Sequence, residues 1–426
     1  MTSVARIDPE AYRAPRRPAT VRVALAGCGA VGSALLRELV ARRETLARRH
    51  DVEVVVTRIL VRDADRDRAA PLDRALLTTD VDEFLATDAD VVVEAIGGLD
   101  PAGRIARVAL ARGRDVVTAN KELLASHGTE LTGLAARHRA SLRYDAAVGG
   151  GVPILRLLDD ALGAGTPSVV RGILNGTSNY VLSRLERGDT LDAALSAART
   201  AGFAEADATR DLDGRDAAAK LALVAWATFG IAPERVVVRR QSLLPDPARY
   251  LRLAGRLERT VRQVAECALV DGAVVASVEP VLVERGSALA GTSREQNRVE
   301  VHTGWSAPLC ASGPGAGGVP TATALLSDIL STAGQVRRTA SACAAAVDHR
   351  SASWALEIRG APALLHRLVP ASGCVHTDAT ASCAWTIVEG AAPAEIDRLL
   401  VLFESLGADP IAARFEAIGT TDAECS

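Results

Sequence analysis

Two lysines stand in a chain that otherwise carries its positive charge on arginine. Of 49 basic residues in 426, only Lys121 and Lys220 are lysine. A guanidinium, with a pKa above about 12, does not hand over a proton, whereas a compact ammonium can bind a carbonyl oxygen and release one. Lys220 closes the stretch "DLDGRDAAAK", and Asp216 lies four residues before it, so the two share one helix face. Both fall in the first turns of that helix, where a lysine opposes the positive end of the helix dipole. That weakens a surface-charge role and suits proton transfer. Glu205, Asp207 and Asp211 lie just upstream. Two readings of these carboxylates stand side by side: a solvated acidic loop, or a site that grips an ammonium group while the lysine handles a carbonyl oxygen. Lys121 follows "VVTAN", at a strand end leading into a helix. In an open parallel sheet, ligands bind beyond the carboxyl ends of the strands, so Lys121 falls on the ligand side.

The elements that must position these residues begin with "VRVALA", a buried-type strand, followed at once by "GCGAVG" and an apolar-periodic helix. Gly27, Gly29 and Gly32 form G-x-G-x-x-G in the strand-to-helix setting that dinucleotide binding requires. The first glycine allows a tight turn, the second lets the backbone approach a pyrophosphate, and the third lets helix and strand pack closely. The helix start, with Ala30 and Val31, faces the phosphates. At the end of the second strand, "LVRDADRDR" places Arg62 beside Asp63. Arginine suits a 2′-phosphate and favours NADP; Asp63 keeps NAD open. Strands and helices then alternate to about residue 148, which predicts a Rossmann-type, doubly wound parallel sheet. "SLRYDAAVGGGVPI" is expected to begin as another strand and break at its glycines.

Beyond it the pattern changes to α+β. "GRDAAAKLALVAWATFG" reads as a long helix, and "GAVVASVEPVLVE" and "NRVEVHTGW" alternate like strands of a second sheet. The last part has a strand-helix-strand-strand-helix-strand rhythm, with "APALLHRLVPASG" as its first helix. The expected organisation is a tail over 1–19, a dinucleotide domain over 20–148, an α+β domain over 149–310, and a module over 345–420.

Composition narrows the partners. The net charge of -3 gives no reason to expect nucleic acid or an anionic membrane surface. No apolar run approaches the roughly 18 to 20 residues of a membrane span. The seven cysteines form no CxxC pair, which fits free thiols in a reducing cytoplasm.

Together, "ALAGCGAVGSALL", "VVVEAIGGLDPA", "VVTANKELLA", "YDAAVGGGVPIL", "GILNGTSNYVL", "GFAEADATRDLDGRDAAAKL" and "GPGAGGVPTATA" resemble the homoserine dehydrogenase family over about residues 21–335. The resemblance implies NAD(P)-dependent interconversion of L-aspartate 4-semialdehyde and L-homoserine. It implies Lys220 as proton donor to the aldehyde oxygen and Lys121 as a second catalytic lysine between nicotinamide and substrate. Glu205 and Asp216 would hold the substrate amino group, with Asp211 supporting, and Gly176 and Thr177 would offer backbone amides. Gly97 and Gly317 would border the cofactor. A monovalent cation, usually sodium, would take the backbone oxygens of Val148, Gly150 and Val152 with Asp145 where the family usually has glutamate. The resemblance also makes 149–310 the catalytic and dimerisation domain, returns a helix near 311–335 to the dinucleotide domain, and implies a small-molecule substrate and a homodimer or homotetramer. The last part resembles an ACT domain in element order, but Pro362 lacks the glycine that normally follows it. That leaves either an effector-binding module or a degenerate one used for oligomer contacts. Two other functions remain in view: an oxidoreductase of the same type acting on a related amino-acid semialdehyde, and a cofactor-binding regulatory protein without catalysis, against which the two lysines argue.

Overall fold

The computed structural model of the chain describes residues 19–68, 70–304, 307–333, 344–345, 352–359, 374–379 and 383–415. Among these, one compact unit draws on residues up to Asn120, Glu130–Tyr144 and 325–333; the other takes Lys121–Thr129, Asp145–Ala324 and the described C-terminal strands and helix.

The first unit is a six-stranded parallel sheet. Its strands are β1 (Ala19–Ala26), β2 (Val52–Leu60), β3 (Leu77–Thr78), β4 (Val91–Glu94), β5 (Asp115–Thr118) and β6 (Leu142–Arg143), in the order β3-β2-β1-β4-β5-β6. Helices α1 (Ala30–His50), α2 (Val81–Ala86), α3 (Ala102–Ala111) and the second half of α4 (Lys121–His138), from Glu130 on, connect them. Val23, Leu25, Ile105 and Val116 are wholly buried in its core. Strand order reverses between β1 and β4, the switch point where this sheet type opens a ligand crevice. Two short elements, β3 and α2, carry no periodic signal. Helix α2 is started by the Asp80 side chain, which accepts from the Asp82 and Glu83 amides at 2.7 and 3.2 Å. The strand expected near Ser141 is only the two-residue β6.

The second unit departs from that expectation sooner than the glycines: the chain turns at Asp145 into α5 (Asp145–Val148), before "GGG". It continues as α6 (Ile154–Ala164), β7 (Val169–Ile173), α7 (Gly176–Leu185), α8 (Leu191–Thr200), α9 (Thr209–Leu212), α10 (Arg215–Phe229), β8 (Val238–Arg240) and α11 (Pro247–Arg256). Then follow β9 (Arg259–Val270), β10 (Ala273–Glu284), α12 (Ala288–Gly291), β11 (Gln296–His302), β12 (Leu309–Pro314) and α13 (Gly318–Thr332). The C-terminal elements are β13 (Ala344–Ala345), β14 (Ala352–Arg359), β15 (Cys374–Ala379), β16 (Cys383–Ala391), α14 (Pro393–Ser405) and β17 (Asp409–Phe415). The helix expected over "APALLHRLVPASG" lies outside the described residues.

One mixed sheet joins these strands in the order β12-β11-β7-β9-β10-β17-β14-β16-β15, with β8 and β13 also paired to β10. Simple alternation fails at its centre. Strand β10 is buried at every position from Val274 to Val283. Its second face is covered too, and the carboxylate there is paired: Glu279 meets the guanidinium of Arg414 at 2.7 Å and that of Arg239. Among the described residues no helix is long and apolar enough to cross a membrane.

Candidate active site

In the first unit the three fingerprint glycines separate by physical role. Gly27 has φ +101°, and a Cβ there would lie 2.5 Å from the Ala95 carbonyl oxygen. A Cβ on Gly32 would lie 2.0 Å from the Gly27 oxygen, so this position is closed by packing. Around Gly29 a Cβ would meet nothing within 4 Å. Its lack of a side chain is therefore not demanded by the protein's own packing. No side chain caps α1, so the first-turn amides at Ala30, Val31 and Gly32 are available to an anion, and the helix dipole favours one there. The residues fit a bound dinucleotide pyrophosphate.

A second loop is shaped by Glu94, a carboxylate with no exposed surface. It accepts from the Ile96 and Gly97 amides at 2.8 and 3.0 Å and from the Thr118 hydroxyl at 2.5 Å. The Thr118 hydroxyl in turn accepts from the Asn120 amide at 3.0 Å, and Asn120 Nδ2 donates to the Gly98 oxygen at 2.6 Å. Gly97 and Gly98 both have positive φ. Glu94 is a residue that motif reading missed. Its signal was there: "VVVE" ends an otherwise apolar parallel strand on a charge.

At the end of β2, Asp63 is engaged by its own loop. Its carboxylate accepts from the Asp65 and Arg66 amides at 2.9 and 3.2 Å. Arg62 is exposed and makes no ion pair among the described residues.

The second unit gathers the two lysines on one carboxylate. Gly214, with φ +81°, starts α10, and the Asp213 side chain accepts from the Arg215 amide at 3.0 Å. Asp216 and Lys220 follow one turn apart. Lys220 Nζ lies 2.9 Å from Asp216 Oδ2 and donates to the Leu174 carbonyl oxygen at 2.9 Å. Lys121 Nζ approaches Asp216 Oδ1 at 3.2 Å. The start of α4 reaches α10 because Gly128 has no side chain; a Cβ there would sit 2.9 Å from the Trp226 ring. The Thr129 hydroxyl also donates to Glu234 at 3.0 Å. The ion pairs offset the dipole penalty that a lysine near a helix start would otherwise carry.

Asn175 completes the cluster. It caps α7, accepting from the Ser178 amide at 2.7 Å, and its Nδ2 donates to Asp211 Oδ1 at 2.7 Å and Asp216 Oδ2 at 2.9 Å. Sequence reading also missed Asn175, although it directly precedes the singled-out Gly176 and Thr177. Those two residues form the first turn of α7, where amides have no intrahelical acceptor. The Thr177 hydroxyl donates to the Phe203 oxygen at 2.5 Å. Glu205 is exposed on the loop before α9.

Burial pushes the Asp216 carboxyl upward, but the ammonium groups of Lys220 and Lys121, with hydrogen bonds from Lys220 and Asn175, more than offset it and hold Asp216 well below the usual carboxylate range. Asp211 is shifted the other way. Burial raises it first, Asp216 and Glu205 add like-charge repulsion, and Asn175 and Lys220 only partly restrain it. Two neighbouring carboxyls with opposite shifts are an arrangement suited to acid-base work.

The glycine turn after α5 packs backbone to backbone on the "GPGAGG" turn. The Gly151 amide donates to the Pro314 oxygen at 3.0 Å, and a Cβ on Gly150 would lie 2.3 Å from the Gly315 oxygen. Gly317, at φ +119°, leads from that turn into α13. Asp145 is buried; its Oδ1 accepts from the Leu155 amide at 3.0 Å, and Oδ2 lies 3.6 Å from Arg156 Nε. The Val152 oxygen accepts from the Ile154 amide at 2.8 Å. A cation on Asp145, Val148, Gly150 and Val152 would have to share its carboxylate with a guanidinium and a helix start.

A 3-2-1-4-5-6 parallel sheet with an open glycine loop, and a lysine-carboxylate cluster on the second unit, define a dinucleotide-dependent oxidoreductase. Comparison with known proteins identifies which one. Residues 27–145 match the family model for the homoserine dehydrogenase NAD-binding domain, and residues 153–330 match that for homoserine dehydrogenase. The chain is 34% identical to the homoserine dehydrogenase of Lactococcus lactis over 73% of its length and 74% of the relative's. The crystal structure of a homoserine dehydrogenase from Thiobacillus denitrificans matches 94% of this chain and 99% of its own, with TM-score 0.84 and 28% identity. A hyperthermophilic archaeal homoserine dehydrogenase in complex with NADPH matches 73% of this chain and 97% of its own, with TM-score 0.59 and 25% identity. The chain belongs to the homoserine dehydrogenase family.

Proposed function

We propose that the chain interconverts L-aspartate 4-semialdehyde and L-homoserine, with Lys220 as the proton donor and acceptor at the carbonyl oxygen. The observation that carries this reading is the ammonium geometry. Lys220 has three N–H donors; one goes to the Leu174 oxygen and one to Asp216, which leaves one for a substrate oxygen. Lys121, held from the other Asp216 oxygen, keeps two donors and adds a second positive charge where an alkoxide would develop. Three of the roughly four acceptor sites of the Asp216 carboxylate are engaged by Lys121, Lys220 and Asn175, so its main work is to position the lysines. The substrate ammonium then falls to Glu205, which is exposed, assisted by Asp211 and the remaining site on Asp216. Gly176 and Thr177 offer first-turn amides to the substrate carboxylate.

The bound nicotinamide cofactor supplies the hydride. Gly27, Gly29, Ala30, Val31 and Gly32 would hold its pyrophosphate, and the Gly97 loop, shaped by Glu94, would border it. NADP is favoured over NAD because Asp63 is engaged by its own loop while Arg62 is free to meet a 2′-phosphate. The NADPH complex of the archaeal relative is consistent with this. We further infer a homodimer or homotetramer, a C-terminal ACT-like module that either binds an effector or serves oligomer contacts, and a reducing, cytoplasmic setting. The last is supported by three free thiols among the described residues, Cys28, Cys267 and Cys310.

The test is a rate assay with purified protein, homoserine and either oxidised cofactor, repeated with a panel of hydroxy-amino-acid analogues. Cofactor reduction dependent on homoserine, faster with NADP, supports the reading. An analogue that exceeds homoserine in kcat/KM would reassign the substrate.

A further inference from the structure

Asn175 is almost wholly buried, at 3% exposure, between groups that would otherwise repel one another. A single Nδ2 donates to Asp211 and to Asp216, two carboxylates with no hydrogen bond to each other. The orientation of the amide is fixed by its partners. The Ser178 amide needs an acceptor and the carboxylates need donors, so a flipped amide would lose all three hydrogen bonds. Its place is fixed as well, because its oxygen is the N-cap of α7. The residue before it, Leu174, supplies the carbonyl that anchors Lys220. Two consecutive residues therefore hold the lysine from one side and its carboxylate from the other.

We propose that Asn175 is a positioning residue for the reaction, clamping Asp211 and Asp216 at one separation so that Lys121 and Lys220 are presented from a rigid carboxylate. The inference rests on the proposed roles of those lysines. Acting through the carboxylates, the Asn175 donor also lowers the pKa of each. The groups facing Asp211 are Asp216 and Lys220 from α10, Glu205 from the preceding loop and Asn175 itself; Lys121 from α4 faces Asp216. Removing a donor from carboxylates raises their pKa values, so activity that needs them charged is lost at a higher pH than in the parent.

Asn175→Ser separates the two jobs. Serine still caps a helix but is too short to bridge the carboxylates. The expected result is a melting temperature close to the parent's and an unchanged KM for NADP. The kcat/KM for homoserine should fall on the order of 10- to 100-fold, the range for hydrogen bonds to charged groups. The acid limb of its pH profile should move upward. Asn175→Asp keeps the cap and shape but adds a third carboxylate, and should shift the acid limb further. Parental kcat/KM and an unmoved acid limb in both variants would overturn the proposal and leave Asn175 a helix cap. An equal loss in cofactor and substrate terms would overturn it too, as general damage. A parent protein inactive on homoserine would instead sink the proposed reaction, a result distinct from either.

Discussion

The dinucleotide loop and the lysine cluster solve the same problem, an oriented polar site in a folded protein, by opposite means. The loop is built from absence. Gly27 and Gly32 lack side chains because backbone already occupies that space, Gly29 lacks one where the protein leaves the space open, and α1 begins without a side-chain cap. The cluster is built from compensation. Two ammonium groups, two carboxylates and one amide come from α4, α9, α10 and the start of α7, and each charge has a partner within 3.2 Å. A site made by omission tolerates no additions, whereas a site made by pairing tolerates no deletions. Backbone geometry and charge balance should accordingly fail in distinguishable ways.

The largest expected effect lies in the cluster. Asp216→Asn leaves two ammonium groups without their shared anion, and kcat/KM for homoserine should fall by about 10²- to 10³-fold. The affinity for NADPH, read by fluorescence titration, should stay near the parent's; an equal loss there would erase the contrast between the two regions. The same variant tests the acid side of stability. Asp216 is held below its unfolded pKa of about 3.9, so its contribution is fully present above that pH and is lost as pH falls further. Denaturant melts of the asparagine variant should depend less on pH below that value.

Next come the glycines. Gly32→Ala forces a Cβ onto the Gly27 carbonyl and should cost about 1–3 kcal/mol in unfolding experiments. Gly29→Ala has room in the protein and should keep parental stability while weakening NADPH binding roughly tenfold, because the side chain intrudes where the pyrophosphate must approach. Equal stability losses at the two positions would show that their roles do not divide this way. Glu94→Gln removes acceptor capacity from a buried position with three donors and should destabilise by about 1–3 kcal/mol, with a smaller rise in KM for the cofactor. The mildest change is Arg62→Ala. It should raise KM for NADP by several-fold, up to about tenfold, with little effect on NAD; a matched rise for both would remove Arg62 from phosphate recognition.

Much of this was legible before the fold was known, and unequally so. The loop is local: six residues between a strand and a helix state its geometry, and the rhythm of β1, β4 and β5 gives the parallel sheet. Lys220 and Asp216 are legible too, since four residues on a helix guarantee a shared face. Their meeting with Lys121 is not, because it depends on Gly128 letting α4 reach Trp226, a tertiary fact with no local sign. Asn175 was hidden for a similar reason, as its two carboxylates lie 36 and 41 residues away in sequence. The burial of β10 on both faces also escaped pattern reading, which expects one wet face and finds paired charges instead.

The central claim is that Lys220 moves the proton. It is tested most directly by comparing homoserine-dependent reduction of NADP by the parent and by Lys220→Arg. The variant keeps charge and much of the volume but gives up the transferable proton. The account predicts unchanged folding and cofactor affinity with kcat lowered by about 10³-fold. A variant that turns over within a few-fold of the parent would contradict it.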